Sequence, residues 1–211
     1  MRAIILAGGK GTRLHPYTVT IPKPLAPIGD VGIMEILLRQ LRAAGCLRAT
    51  VAVGHQAHLI EAYFGNGSKW GVELDYAREQ IPLGTIAPLK RISDLPEHFM
   101  VLNGDVLTDL DFASFFSGHV ARDSLATVAV HQREVLVDFG VLQYDPESST
   151  LTSFTEKPVQ RFSVSMGVYA FCRKILDFIP SEGAFGFDEL MLTALDRALA
   201  VHVHPHSGYW L

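Results

Sequence analysis

Cysteine is scarce in this chain. The two present, Cys46 and Cys172, stand far apart with no second Cys or His at metal-finger spacing, so neither a disulfide framework nor a zinc module is indicated and a reducing compartment fits best. Long hydrophobic runs are also missing. No stretch approaches ~18 uninterrupted apolar residues, and the apolar start Met1-Arg2-Ala3-Ile4-Ile5-Leu6-Ala7 is too short for a signal peptide. A soluble, unprocessed cytoplasmic protein is expected. Nor is there an excess of positive charge: 18 Lys and Arg against 22 Asp and Glu leave a formal charge of -4 and no run of one sign. A nucleic-acid backbone and an anionic membrane are therefore poor partners, and a small molecule is the better expectation. Without an internal repeat, a low-complexity tract or a Pro/Ser-rich linker, the 211 residues, 48% hydrophobic and 19% charged, are expected to bury one core as a single domain over 1–211.

What is present is an alternation of two periodicities. Residues 2–7 form an apolar run ended by Gly8-Gly9, and a helical pattern follows at Ile33, Ile36, Leu37, Leu41 and Ala44 until Gly45. The order then repeats. Ala49–Val53 is β-rich, Leu59, Ile60, Tyr63 and Phe64 make a helical face closed by Gly65-Asn66-Gly67, and Val72–Tyr76 reads as a third strand. Phe99–Leu102 and Leu125–Val130 are further apolar runs, the first ending in Asn103-Gly104-Asp105. Strands alternating with helices imply a mainly parallel sheet covered on both faces. Beyond residue 139 the order changes: Gly140–Tyr144, Leu151–Phe154 and Val168–Phe171 have little helix between them, so antiparallel strands are expected.

The chemistry concentrates after the first strand. Leu6-Ala7-Gly8-Gly9-Lys10-Gly11-Thr12-Arg13-Leu14 sets three glycines and two cations at the carboxyl edge where open α/β sheets bind ligands. Glycines let backbone N–H groups approach anionic oxygens, and Arg13 offers a planar fork to two phosphate oxygens. Pro22-Lys23-Pro24 restricts the backbone around another cation, which would make Lys23 a directed point charge. A tight strand-to-helix turn with solvated basic residues fits the same segment. No G-x-x-x-x-G-K-[ST] is present, and Leu14 stands where the dinucleotide fingerprint has its third glycine.

Taken with Pro22-Lys23-Pro24-Leu25, the glycine segment resembles the signature of sugar-1-phosphate nucleotidylyltransferases, the group that includes mannose-1-phosphate guanylyltransferases. Further motifs resemble the family in family order: Glu79-x-x-Pro82-Leu83-Gly84-Thr85, Leu102-Asn103-Gly104-Asp105, Phe139-Gly140-Val141, Glu156-Lys157-Pro158, Met166-Gly167-Val168-Tyr169 and Gly208-Tyr209-Trp210. The resemblance implies a Rossmann-like three-layer α/β/α sandwich with a mixed, mainly parallel central sheet, of the nucleotide-diphospho-sugar transferase type. It implies NMP transfer from an NTP to a hexose or heptose 1-phosphate with Mg²⁺ as cofactor. The nucleotide would be bound by Leu6, Ala7, Gly8, Gly9, Gly11, Thr12, Arg13, Lys23, Glu79, Pro82, Gly84, Asn103, Gly104 and Asp105. Arg13, Lys23 and Asp105 would be catalytic, the first at the leaving pyrophosphate, the second at the reacting phosphate and the third on the metal. Gly140, Glu156, Lys157 and Gly167 would hold the sugar phosphate. A carboxylate at Glu79 suits guanine, with its adjacent N1–H and amine donors, so GTP is favoured; uridylyl, thymidylyl and adenylyl transfer stay open, and Gln80 would serve uracil. Self-association into a homo-oligomer is left open too.

Several features depart from the pattern. Ile86-Ala87-Pro88 replaces the family's Ala-Gly after Gly84-Thr85, which is expected to narrow the base pocket, and Gly32 stands where a proline is usual. The family's second metal aspartate follows Trp-x and would be residue 212, so the resemblance implies that the chain continues past Leu211. His202, His204 and His206 alternate and would share one face of an extended segment, but no acidic or Cys partner accompanies them in sequence. The stripe Phe171, Ile175, Leu176, Phe178 and Ile179 reads as core. Two other classes remain: a silent nucleotide-sugar-binding regulatory subunit, which would not need Arg13, Lys23 and Asp105 together, and a glycosyltransferase, for which Asp109-x-Asp111 has the metal-motif spacing.

Overall fold

The run RAIILA forms strand β1 (Arg2–Ala7), buried along almost its whole length because it has a neighbour on either side. The computed structural model describes residues 1–9, 21–79, 81 and 83–211. After a 3-10 turn at Lys23–Leu25 and the short hairpin of β2 (Pro27–Ile28) and β3 (Val31–Gly32), helix α1 (Ile33–Ala43) begins. It presents Met34, Leu37, Leu38 and Leu41 to the sheet and ends at Gly45, whose φ of +86° suits a residue without Cβ. Strand β4 (Arg48–Val53) then lies parallel to β1, and helix α2 (Ala57–Phe64) leads to β5 (Glu73–Arg78), parallel to β4.

From β5 the chain reverses. Strand β6 (His98–Asn103) inserts on the other side of β1, again parallel, after residues 83–95 have crossed the opposite face. Helix α3 (Phe112–Ala121) precedes β7 (Ala126–Leu136), and the 14-residue strand β10 (Val159–Cys172) fills the gap between β6 and β7, antiparallel to both. A 3-10 turn at Arg173–Phe178 and helix α4 (Phe187–Asp196) lead to β11 (Val201–His206), parallel to β7 at the edge. The seven strands run in the order β11-β7-β10-β6-β1-β4-β5. The sheet is mixed and mainly parallel, as expected.

Alternation along each strand divides the interior into two cores. Ala3 and Ile5 of β1, Val51 of β4 and Leu102 of β6 face α1, α2 and α3, whereas Ile4, Phe99, Val101 and Phe171 face residues 83–95, the turn after β10 and α4. That is a three-layer α/β/α arrangement. Ile175 and Ile179 of the apolar stripe are buried in the second core, which bears out their reading as packing residues.

The first half of β10 and the second half of β7 run on beyond the β6 register as a two-stranded ribbon, Val164 facing His131 and Val159 facing Leu136. A separate hairpin, β8 (Val141–Tyr144) and β9 (Leu151–Thr155), connects its ends. The ribbon and its hairpin form an arm standing past the carboxyl edge of the parallel strands.

Candidate active site

The carboxyl ends of β1, β4, β5 and β6 open on one side, and chain order reverses at β1, with β4 on one side of it and the later β6 on the other. Such a switch point parts the loops and leaves a crevice. Four segments frame it: Gly8-Gly9 after β1, Gly54-His55 after β4, Glu79 and Leu83-Gly84 after β5 and Asn103–Asp105 in and after β6.

These segments are tied to one another through small residues. The Gly104 N–H donates to Leu6 O (2.8 Å), and a Cβ on Gly104 would lie 3.1 Å from that oxygen and 3.4 Å from Ala7 Cβ. Any side chain there would force the β6 loop away from β1. Gly54 packs on Gly8 in the same way, its absent Cβ being 3.0 Å from Gly8 O, and the His55 N–H reaches that oxygen at 3.4 Å. Gly54 carries no motif of its own in the sequence; its position after the second strand of a β-α-β unit was the available signal.

Glu79 begins the third side. Its N–H donates to Val53 O (2.8 Å), Oε2 accepts from the Leu83 N–H (3.1 Å), and Oε1 lies 3.1 Å from where a Gly8 side chain would start. One carboxylate oxygen therefore borders the glycine turn. Burial raises the Glu79 pKa above the usual value, opposed by the Leu83 amide and then by Arg91. Beyond it, Gly84 at φ +82° lets residues 83–87 clasp Phe185: the Phe185 N–H donates to Leu83 O, while those of Ile86 and Ala87 donate to Phe185 O. Ile86, Ala87 and Pro88 are buried, and Ile86 and Ala87 join Leu89 in the second core. The clasp turns these side chains inward, toward the second core.

Asp105 follows Gly104 and forms an ion pair with Lys23, whose backbone is held in the 3-10 turn between Pro22 and the buried Pro24. Two residues 82 positions apart in the chain are thus joined, each about a third or less exposed at the side chain. Asn103 packs against Gly167, which sits at φ +74° in the irregularity of β10; a Cβ there would meet Asn103 Nδ2 at 2.5 Å. Lys10, Gly11, Thr12, Arg13, Gln80 and Pro82 lie outside the described residues.

The arm carries the remaining candidates. A Cβ on Gly140 would lie 3.1 Å from Glu156 Oε2, and the Lys157 N–H donates to Phe139 O (3.2 Å). The Lys157 ammonium pairs with Asp138 (2.8 Å), and both side chains are more than half exposed. An ion pair this exposed contributes little in water and is free to open.

The histidines take separate partners. His202 meets Ser124 Oγ at 2.9 Å, His204 packs edge-on against Phe115, and His206 Nε2 meets Asp109 Oδ1 at 2.8 Å. The acidic partner missing from the local sequence is thus supplied by tertiary contact. It also occupies the first carboxylate of Asp109-x-Asp111, and the second caps α3 by accepting from the Ala113 and Ser114 N–H groups. Both are committed to structure, so the glycosyltransferase motif is not assembled.

A nucleotidyl transferase family model matches residues 2–211. The chain belongs to this family. Its relatives include a UTP–glucose-1-phosphate uridylyltransferase from Synechocystis, 37% identical and aligned over 86% of this chain and 51% of the relative. A mannose-1-phosphate guanylyltransferase catalytic subunit beta from Drosophila pseudoobscura is 33% identical over 100% of this chain and 58% of the relative. The chain thus spans little more than half the length of these relatives. Among solved structures, HddC from Yersinia pseudotuberculosis superposes with a TM-score of 0.76 at 25% identity, covering 100% of this chain and 92% of the other. A putative glucose-1-phosphate thymidylyltransferase from Bacillus anthracis gives 0.77 at 22% identity over 100% and 88%, which shows the shared fold. The sugar-1-phosphate nucleotidylyltransferase resemblance of the motifs is therefore shown at the level of family and fold.

Within this family member, a second cleft of ≈ 590 Å³ lies at the amino edge, lined by Arg2, Arg48, Asp94 and His98 among others. It is at the far end of the strands from the carboxyl-edge residues Gly8, Glu79, Gly104 and Asp105. The crevice at the carboxyl edge is where the cation, carboxylate and glycine groups converge.

Proposed function

We propose that this chain transfers an NMP group from an NTP, GTP by preference, to a hexose or heptose 1-phosphate, giving a nucleotide-sugar and pyrophosphate. The observation that carries the reading is the convergence of Gly8, Glu79, Gly104, Lys23 and Asp105 on one crevice at the switch point of a nucleotidyl transferase fold. In-line attack of the sugar-phosphate oxygen on the α-phosphorus needs little covalent help from protein. It needs alignment and stabilisation of accumulating charge. Lys23, on its restricted turn, is suited to the reacting phosphate, and Arg13 to the leaving pyrophosphate. Lys157 can exchange Asp138 for the phosphate of the sugar substrate, with Gly140, Glu156 and Gly167 lining the sugar's side.

The residues fit a divalent cation. Asp105 presents a partly exposed carboxylate at the strand edge, a hard oxygen donor of the kind Mg²⁺ takes together with phosphate oxygens and water. When bound, the cation would neutralise charge on the phosphates. Tyr209–Leu211 runs antiparallel to Leu107–Asp109, the Leu211 N–H donating to Leu107 O (2.8 Å), so a residue after Leu211 would head toward Asp105. This supports the second ligand inferred from the motif order. Glu79 Oε1 beside the glycine turn supports guanine, whose N1–H and amine form the paired donor a carboxylate accepts. The cysteines are free and buried, in keeping with a cytoplasmic setting.

Pyrophosphate release is the test, run on the full-length protein with Mg²⁺, each of GTP, UTP, dTTP, ATP and CTP, and a panel of hexose and heptose 1-phosphates. Release that requires one sugar phosphate and is lost in Lys23→Ala establishes the transferase and identifies both substrates. Nucleotide-sugar binding without release from any pair would replace it with the regulatory-subunit reading.

A further inference from the structure

Lys23 and Asp105 are each assigned above to a different partner, yet in the structure they hold each other. The ammonium sits on Asp105 Oδ2, and its positive charge beside that carboxylate opposes the approach of a divalent cation to it. The backbones on both sides are fixed. Asp105 follows a glycine tied to Leu6 O, and Lys23 lies in a turn closed by the Leu25 N–H to Pro22 O (2.8 Å) and the Ala26 N–H to Lys23 O (3.0 Å). The short Asp105 side chain keeps its carboxylate close to the backbone, whereas the four methylenes of Lys23 allow its head to swing by several ångströms.

We propose that Lys23 is a built-in counter-ion for the metal carboxylate, which a divalent cation must displace, and that the released ammonium moves to the phosphates arriving with the nucleotide. This rests on the assignment of Asp105 to the metal and adds a coupling between the two sites. Without nucleotide, Lys23 competes with the cation and keeps its affinity low. With a triphosphate present the ammonium has another anionic partner, so competition falls and metal and nucleotide bind cooperatively, each raising the affinity of the other by the same factor. The arrangement also spares the nucleotide-free protein a lone carboxylate facing a lone lysine across a half-buried crevice.

Mn²⁺ binding, followed by electron paramagnetic resonance of the free ion, tests this without any turnover. In the absence of nucleotide, Lys23→Met should bind Mn²⁺ about tenfold or more tightly than the parent, Lys23→Arg as weakly as the parent, and Asp105→Asn not measurably. Addition of a non-hydrolysable triphosphate should tighten Mn²⁺ binding in the parent, by a larger factor than in Lys23→Met once each protein's own nucleotide-free affinity is taken as reference. Equal Mn²⁺ affinity in the parent and a folded Lys23→Met overturns the proposal and makes the pair a structural clip. Should Lys23→Met not fold, ¹³C NMR of the lysine ε-carbons in the parent decides the matter: a Mg²⁺-dependent shift at Lys23 supports displacement, and an unmoved signal at saturating Mg²⁺ overturns it. Failure of parent and Asp105→Asn alike to bind Mn²⁺, even with triphosphate, would instead remove the metal assignment itself.

Discussion

Two titratable groups withdrawn from water show how environment, more than residue type, sets what a side chain can do here. Glu79 is held partly out of water, so its carboxyl keeps its proton to higher pH than usual, with one oxygen occupied by the Leu83 amide and the other beside Gly8. If guanine is its partner, Glu79→Gln removes a charge-assisted acceptor worth about 1.5–3 kcal/mol, and kcat/KM for GTP should fall roughly 10- to 100-fold while UTP changes little. Equal losses with both nucleotides would count against GTP selection. His119 is fully buried between His98 Nδ1 (3.1 Å) and Thr127 Oγ1 (2.9 Å), and burial, then the His98 charge, lower its pKa from 6.5 to about 4. An unfolded His119 protonates near 6.5 and the folded one only near about 4. Its contribution to stability is therefore complete above 6.5 and lost as pH falls through that window, by up to about 3 kcal/mol. Urea titrations from pH 7 to pH 4 should show a shallower acid loss in His119→Gln than in the parent. Parallel pH profiles would show that this histidine is not the source.

Among the elements, α3 and β10 depart most from what periodicity displays. Helix α3 buries Phe112, Phe115 and His119, but a histidine in the apolar stripe and Gly118 within it obscure the pattern, and the helix depends on Asp111, whose carboxylate accepts two N–H groups of the first turn. Asp111→Ala should cost about 1 kcal/mol in chemical denaturation. A change below about 0.3 kcal/mol would mean that tertiary packing alone fixes the helix start. Strand β10 reads as an apolar segment of four residues in the sequence, yet it continues for 14, because its first half is an exposed ribbon paired to β7 rather than a core strand. The break between the two regimes is Gly167. With φ at +74° and Asn103 Nδ2 only 2.5 Å from where a Cβ would stand, Gly167→Ala should destabilise the fold by about 1–3 kcal/mol and weaken nucleotide binding by shifting Asn103. Unchanged nucleotide affinity in a destabilised variant would separate the fold role of this glycine from any role at the site.

At the scale of the whole molecule, one sheet separates two cores, and strands β1, β6 and β10 contribute alternate residues to both. Neither core can be lost without exposing the other side of the same strands, so unfolding should be a single cooperative transition. Cys46 is buried under α1 and Cys172 at the end of β10, and both thiols are free. Their reactivity toward a thiol reagent should appear at the same urea concentration as the change in tryptophan fluorescence and in far-UV circular dichroism. Separated midpoints would mean that the two layers unfold independently. The strand, glycine turn and helix order of the first half was legible because burial on both faces of a parallel sheet writes itself as continuous apolar runs, and helix docking as a 3.6-residue stripe. The candidate site residues stand out in the sequence for a related reason: close packing favours a residue without a side chain at Gly8 and Gly104, and phosphate chemistry calls for cations and a carboxylate in short motifs. What the sequence could not determine is which of these groups meet. The Lys23 pairing with Asp105, Gly54 on Gly8, His206 on Asp109 and Ile86 turned into the core each join segments far apart in the chain, and only the register of the sheet and the reversal of strand order at β1 bring them within reach. Local sequence sets the chemistry of each side chain, while contact depends on the path of the backbone between them.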